Sequence, residues 1–322
     1  AVPAVTTAAS GRLFRAGMLI KSATALERLA EVDTVVFDKT GTLTQGHPQV
    51  SNWGDIPADL RGVVMGMTQG SAHPLSASLY ASARASGCVA AQVSDVVEVA
   101  GQGVEALWNG QSVRLGRAAW LGANPLAQTA TYLKIGEAPV VAFTFVDHLR
   151  DGAEQAVKAL KAQGKDVVLL SGDAPAAVAD IAARVGIDAW EAECLPMGKA
   201  LRIKELSEAG RKVLMVGDGL NDTAALAAAH VSISPASALE ATRVVSDIVL
   251  LGTSLAPIGE ATKVAVSATR RIKENFAIAA GYNMIAIPIA LAGFATPLAA
   301  ALAMSTSSIT VSLNALRLRG LK

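Results

Sequence analysis

Three short apolar runs in this 322-residue sequence stop abruptly at acids or hydroxyls: VVFDKT at Asp38, VVLLSGD at Ser171-Gly172-Asp173, and VLMVGDGLND at Asp218. The runs are apolar throughout and do not alternate, which marks strands buried on both faces. Such strands need a parallel sheet with helices on either side. In a sheet of that kind the residues just past the carboxyl ends of the strands collect at one rim. The chain after Asp147 has the matching rhythm of helix and strand: GAEQAVKALKAQG, KDVVLLSGD, PAAVADIAARVG, KALRIKELSEAG, RKVLMVGDG, NDTAALAAA, VSISP and DIVLLG. Strand and helix in alternation predict a doubly wound α/β fold.

The strand carrying Asp38 lies more than a hundred residues before that rhythm begins, and the stretch between has another texture. From His47 to Val146 a helical SAHPLSASLYASARASG precedes strand-like VVEVA, GVEALWNG, QSVRLG and PVVAFTFVD, with NG and GQG turns. These predict a small antiparallel sheet carrying a few helices. The expected organisation is therefore an α/β domain of residues 31–46 and 147–255, interrupted by an inserted α+β domain of residues 47–146.

The two ends differ again. Asn275 to Phe294 and Pro297 to Leu316 contain no Lys, Arg, Asp or Glu, and each is long enough to span a bilayer as a helix. Arg270, Arg271 and Lys273 precede the first, and Arg317, Arg319 and Lys322 follow the second, so both ends of this hairpin are expected on the cytoplasmic side. A mean hydropathy of +0.40 agrees with part of the chain lying in lipid. Residues 256–322 thus read as a connecting helix and two transmembrane helices. Residues 1–30 read as the end of a membrane helix and a connecting helix, with Gly11 to Ala30 apolar at helical spacing and Arg12, Arg15, Lys21 and Arg28 interleaved. The N-terminus has no signal-peptide pattern and reads as the cut edge of a longer chain. Cys88 and Cys194 stand far apart and predict buried thiols in a reducing compartment. A net charge of +1 gives no basic surface for nucleic acid.

The chemistry sits at the strand ends. A carboxylate there can accept a phosphoryl group if Mg²⁺ and cationic or hydrogen-bonding groups neutralise the equatorial oxygens. Ser171, Gly172 and Asp173 offer a hydroxyl and backbone amide in a tight turn, Lys199 offers a cation at a helix start, and Asp218 and Asp222 offer oxygen ligands for a hard cation.

The string DKTGTLT, followed by Ser171-Gly172-Asp173 and then GDGLND, resembles the haloacid-dehalogenase-like core of a P-type ATPase. That resemblance implies that Asp38 forms the aspartyl-phosphate and that Lys39 offsets charge nearby. Thr40 would contribute its carbonyl to Mg²⁺ and its hydroxyl to the phosphate. Ser171, Gly172 and Lys199 would hold phosphoryl oxygens, Asp38, Thr40 and Asp218 would bind Mg²⁺, and Asn221 and Asp222 would complete the site. Related phosphatases place a second aspartate where Thr40 stands, as general acid/base for rapid turnover. A threonine there implies a longer-lived phosphoenzyme.

Ser71-Ala72-His73-Pro74-Leu75 and Gly101-Gln102-Gly103 resemble the His-Pro and GxG motifs of the inserted nucleotide-binding domain in heavy-metal, type IB pumps. The resemblance assigns His73, Pro74, Gly101, Gly103 and, more loosely, Gly116 to ATP, while Ala72 stands where the family usually has Glu. Asp147 and Arg150 resemble a DxxR segment, as a hinge ion pair or a nucleotide contact. Tyr282-Asn283 and Met304 with Ser308 resemble the intramembrane pair of the copper(I) subgroup, and a thioether among neutral polar groups suits Cu⁺ or Ag⁺. The other reading of these side chains is hydroxyls bonded within their own helix and Met as filler. The implied partners are ATP, copper(I) delivered by a chaperone and membrane lipid, in the inner membrane with catalytic domains in the cytoplasm. The Cys-Pro-Cys motif and TGE loop of such pumps are not in this sequence, so the piece alone is not expected to transport. The competing readings are a membrane-anchored phosphatase of the same superfamily, which an acid at position 40 would favour, and a nucleotide-sensing module without turnover.

Overall fold

The structure is a computed structural model that describes residues 2–22, 24–46, 48–71, 73–126, 128–218, 222–238, 240–293 and 296–320. Its helices are α1 Val2–Arg15, α2 Ala25–Glu31, α3 Ala58–Thr68, α4 Pro74–Ala85, α5 Ala118–Leu121, α6 Ala153–Lys161, α7 Pro175–Val185, α8 Pro196–Glu208, α9 Thr223–Ala228, α10 Glu240–Val245, α11 Pro257–Leu291 and α12 Pro297–Leu316. The strands are β1 Met18–Ile20, β2 Thr34–Asp38, β3 Gln49–Val50, β4 Ser94–Val99, β5 Gly103–Trp108, β6 Gln111–Gly116, β7 Ala130–Ile135, β8 Val141–Val146, β9 Asp166–Leu170, β10 Ala189–Glu191, β11 Val213–Val216, β12 Val231–Pro235 and β13 Ile248–Leu250.

One sheet has the order β1-β13-β12-β11-β2-β9-β10 and is parallel except for β1, which runs antiparallel to β13. Every residue of β2 is buried. Successive side chains of a strand point to opposite faces, so Val35 and Phe37 enter one core while Val36 enters the other, with Met215, Ile203 and Leu226. The continuous apolar runs of the sequence are thus explained by helices on both sides. β2 lies between β9 and β11, and this arrangement brings the ends of those three strands together at one rim.

The other sheet is antiparallel, in the order β3-β8-β7-β6-β5-β4. Val63, Met67 and Leu79 of α3 and α4 pack on its Val104, Val113, Leu133 and Phe143 face. Four elements here are absent from the sequence reading: the short β3 and α5, and the longer β7 and α3. Gly62 and Gly66 disguise α3; an added Cβ would lie 2.9 Å from the Val89 carbonyl oxygen and 2.6 Å from that of Ala91. The helix glycines make room for the segment that leads into β4.

One expectation is corrected. Gly11 to Ala30 is not a continuous helix. α1 ends at Arg15, Gly17 turns the chain at φ +85°, and Met18–Ile20 pairs as an edge strand with Leu250–Ile248 before α2 begins. The apolar spacing was real, but a backbone edge on β13 offered the segment a ladder. Several cations there also find protein partners. Arg28 pairs with Asp247, and Lys21 donates to the carbonyls of Val244 and Ser246 at 2.9 and 3.0 Å.

At the C-terminus the expected connecting helix and first span form one 35-residue helix, α11, buried along one face from Ile258 to Ala268 and apolar and largely exposed beyond Phe276. Among the described residues α11 is the one helix long and apolar enough to cross a membrane, with Ala301–Leu316 of α12 forming a shorter apolar run.

Candidate active site

Asp38 is the last residue of β2 and is 4% exposed. Lys199, in the first turns of α8, reaches under it and bridges Asp38 to Asp222, the latter at 2.8 Å. Asp218 follows β11, and one carboxylate oxygen from each of Asp38, Asp218 and Asp222 lies within 4.8 Å of the others. Three acids and one ammonium are therefore confined to a single pocket of the rim.

The electrostatics follow from that crowding. Burial pushes the Asp38 carboxyl up to about 7, with Asp222 and Asp218 adding to the rise and Lys199 opposing it. Burial likewise raises Asp218 to about 6, helped by Asp222 and opposed by Arg150 and Lys199. For Lys199 burial works against the charge, but Asp38 and Asp222 outweigh it and hold the ammonium well above its usual pKa. The negative excess over Lys199, carried on hard oxygen atoms, fits a divalent ion such as Mg²⁺.

The loop after Asp38 is shaped for close approach. Gly41 has φ +71°, and a Cβ there would sit 1.6 Å from Oδ2 of Asp218. A side chain would thus meet both a strained backbone and the carboxylate. Arg150, 8% exposed, donates from Nε to the Thr42 carbonyl at 3.0 Å and from Nη2 to that of Gly41. Arg150 therefore fixes the loop after Asp38, and the ion pair of Asp147 is with another residue. Asp147 instead pairs with Lys39, which also binds Asp173 at 2.8 Å. The Lys39 ammonium is thus directed at Asp147 and Asp173.

Around Asp173 a small network closes. Ser171 Oγ donates to its Oδ2 at 3.1 Å, Thr40 Oγ1 donates to the same oxygen at 3.4 Å, and the Asp173 amide donates to Ser171 Oγ at 3.2 Å. Burial would raise Asp173, but Lys39 and the hydrogen bonds from Lys39, Ser171 and Thr40 outweigh it and hold the carboxyl below its ordinary value. Gly172 turns the chain beside the Cys194 carbonyl, with 3.4 Å for an added Cβ. Asn221 and Ala72 lie outside the described residues.

The nucleotide candidates fall in two places. Gly103 and Gly116 oppose each other across β5 and β6; an added Cβ would lie 2.1 Å from the Leu115 oxygen at the first and 2.3 Å from the Gln102 oxygen at the second. Close backbone packing already requires both glycines. Gly101 occupies the preceding turn at φ +73°. His73 and Pro74 start α4, where His73 Nδ1 accepts from the Leu75 amide at 3.3 Å. In the membrane-type helices Met304 is 69% exposed, Asn283 and Ser308 are exposed, and Tyr282 is half-buried. Two helices do not enclose these four. Thr306 and Thr310 bond carbonyls of their own helix at 2.8 Å. Cys194 is buried as expected, whereas the expectation for Cys88 is corrected: it is half-buried, in the loop that follows α4, and both are free thiols.

The sequence alone assigns no role to Gly41 and leaves Arg150 between a hinge ion pair and a nucleotide contact. A glycine inside DKTGTLT was the available signal for the first; the second depends on a fold contact spanning more than a hundred residues.

A parallel sheet whose β2 ends at buried Asp38, with Asp218 just past the neighbouring β11 and Lys199 reaching in from α8, defines a class. The chain belongs to the haloacid dehalogenase-like hydrolases, whose family model matches residues 32–230. Within that class its close homologues are heavy-metal P-type ATPases and FixI proteins. The chain is 44% identical to the nitrogen fixation protein FixI of Bradyrhizobium diazoefficiens, over 99% of its own length and 44% of the relative's. It is 36% identical to a copper-exporting P-type ATPase of Mycobacterium tuberculosis, over 99% of its length and 44% of the relative's. The crystal structure of a zinc-transporting PIB-type ATPase in its E2.Pi state superposes with a TM-score of 0.79 and 30% identity, covering 98% of this chain and 55% of that one. The chain spans less than half the length of these curated relatives.

Proposed function

We propose that this chain is the ATP-dependent phosphorylation part, with C-terminal membrane helices, of a pump that moves copper(I) across a membrane through an aspartyl-phosphate. The observation that carries it is Asp38 at the central strand end, held against Lys199 and beside Asp218 and Asp222. ATP is the phosphoryl donor. An Asp38 carboxylate oxygen attacks the γ-phosphorus, the bond to the β–γ bridging oxygen breaks, ADP departs, and the acyl phosphate remains on the chain. Water later cleaves that phosphate and restores the carboxylate. Lys199 supplies a fixed cation beside the acceptor, and the loop held by Arg150 fixes Asp38 in line. Mg²⁺, held by Asp38 and Asp218 with the Thr40 carbonyl and with Asp222 adjacent, would offset negative charge on the transferred group.

The inserted antiparallel sheet, through His73, Pro74, Gly101, Gly103 and Gly116, is the proposed nucleotide platform. The chain's homologues are ATPases, and that supports the assignment. Two apolar C-terminal helices, with Arg270, Arg271 and Lys273 before them, support an integral membrane location with the catalytic parts in the cytoplasm and, in a bacterium, the inner membrane. Copper(I), or silver(I), as cargo is supported by Met304 amid Tyr282, Asn283 and Ser308, by the absence of any Asp or Glu from 297–316, and by a copper-exporting relative. A copper chaperone is the proposed donor.

The test is labelling with γ-labelled ATP and Mg²⁺. The expected product is an acid-stable, hydroxylamine-sensitive phosphate that disappears in Asp38→Asn. No label in the full-length protein with copper(I) present would refute the pump. A zinc-transporting structural neighbour makes zinc the competing cargo, and turnover stimulated by zinc alone would overturn copper.

A further inference from the structure

Arg12 stands outside every site described above and makes the contacts of a junction. Its Nε and Nη2 donate to Oε1 of Glu260 at 3.0 and 2.8 Å, and its Nη1 donates to the Leu318 carbonyl at 2.9 Å. The side chain is 18% exposed. A single guanidinium thus ties α1 to the first turn of α11 and to the turn Arg317–Gly320 that follows α12. Each contact has its own electrostatic reason. The Leu318 carbonyl lies past a helix end whose last oxygens lack partners within the helix, a position that favours a cation. Glu260 is an acid at the positive end of α11.

The same three elements share one apolar seam, in which Leu13, Ile258, Ala261, Ala315 and Leu318 are buried together. Topology connects the seam to the site. α1 runs through Gly17 into β1, which pairs with β13 through Met18–Leu250 and Ile20–Ile248. β13 in turn leads to α11. From β1 the chain continues through α2 into β2, which ends at Asp38. Neighbouring strands at one sheet edge therefore lead into both helices, and Arg12 crosses between them just outside that edge. α12 has a separate fastening to α11, where Asn314 donates to Asn275 at 2.9 Å and to Glu274 at 3.2 Å and accepts from Arg271 at 3.3 Å. Glu260 and Glu274 are fourteen residues apart, about 21 Å along a helix at 1.5 Å per residue. Loss of Arg12 therefore removes the polar tie of α1 to α11 and leaves that of α12 in place.

We infer that Arg12 is a positioning residue that locks α1 to α11 and the end of α12, so that movement of the phosphorylated sheet reaches these helices as one body. The inference rests on the pump reading above. It is tested in the full-length protein in sealed vesicles, by measuring both phosphoenzyme from γ-labelled ATP and copper(I) carried per ATP hydrolysed. Arg12→Ala is expected to keep phosphoenzyme within about twofold of wild type and to lower copper carried per ATP about tenfold, the scale of a lost charged hydrogen-bond pair. Arg12→Lys keeps the charge but cannot reach Glu260 and Leu318 in the same fork, and should fall between. An unchanged ratio in Arg12→Ala overturns the inference. So does a parallel fall of phosphoenzyme and transport in both variants, which would mark Arg12 as structural only. A wild type that takes no phosphate on Asp38 defeats the pump reading, whereas a phosphorylated wild type with a fully coupled Arg12→Ala defeats the brace alone.

Discussion

Asp38→Asn should destroy phosphorylation and yet stabilise the protein. The sign follows from the buried acids. In the folded chain Asp38 keeps its proton up to about pH 7, whereas the unfolded reference releases it near 3.8. Between those values the folded state binds more protons than the unfolded state, so stability falls as pH rises and levels off above about 7. A rise of about three pKa units corresponds to about 4 kcal/mol, lost in full only when the carboxylate is ionised. Asn removes the charge and keeps an oxygen that accepts from Lys199. Lys199 loses one counter-charge but retains Asp222 at 2.8 Å.

The net gain expected at pH 8 in the presence of a chelator is about 1–3 kcal/mol, after part of the 4 kcal/mol is returned through Lys199. For a domain of 150–250 residues that is a Tm rise of roughly 2–12 °C. Near pH 4 wild-type Asp38 is protonated and the two proteins should melt together. Excess Mg²⁺ should narrow the gap at pH 8, because a bound cation relieves the wild-type acids but finds one fewer in the variant. The assay is thermal unfolding followed by circular dichroism from pH 4 to 8, with and without Mg²⁺. An Asn variant no more stable than wild type at pH 8 would show that the acids at this rim are not in conflict, and the electrostatic account of the site would fail.

Gly41→Ala should lower Mg²⁺-dependent phosphorylation by about 100-fold, the cost of displacing a reacting group by about 1 Å, because the new methyl would occupy the place of Asp218 Oδ2; far-ultraviolet circular dichroism should be unchanged. Mg²⁺ binding should release protons near pH 6, where Asp38 and Asp218 with values of about 7 and 6 are substantially protonated, and release few at pH 8.5; calorimetry in two buffers of different ionisation enthalpy measures the difference. Met304→Ala in the full-length protein should abolish copper(I)-stimulated turnover while leaving label on Asp38 from ATP, and equal copper stimulation in the variant would remove Met304 from the path.

The parallel sheet was legible because its strands are buried on both faces, so composition alone marks β2, β9 and β11 and places Asp38, Ser171 and Asp218 at their ends. The inserted sheet was legible as a class, yet β7 and α3 were not. ATYLKI carries Lys134 and a half-buried face, and α3 contains two glycines that propensity counts against a helix. The sequence between Gly11 and Ala30 misled for the opposite reason. Its helical spacing is genuine, but pairing with β13 overrides a local preference that Gly17 interrupts. The charges followed a similar rule. Lys199, Asp38 and Asp222 could be assembled from strand ends and a helix start, whereas the partners of Lys39 and Arg150 depend on how residues 39–43 and 147–150 fold back on each other. Contacts between segments a hundred residues apart leave no periodicity to read.

That fold-back bears on the choice between pump and phosphatase. Thr40 stands where related phosphatases have an acid, and a neighbouring carboxylate is the one group that could replace it. Asp173 is the neighbour in reach, 3.4 Å from Thr40 Oγ1. Its carboxylate is paired with Lys39 at 2.8 Å, accepts hydrogen bonds from Ser171 and Thr40, and titrates below its ordinary value. A carboxylate held ionised by three donors is a weak base and carries no proton to give a leaving oxygen at neutral pH. Asp147, on the other side of Lys39, is occupied by the same ammonium. Asp173 and Asp147 both face the Lys39 ammonium, and neither of these two supplies the proton shuttle that Thr40 lacks. This favours a phosphoenzyme that waits for a movement of the chain over one that water removes at once.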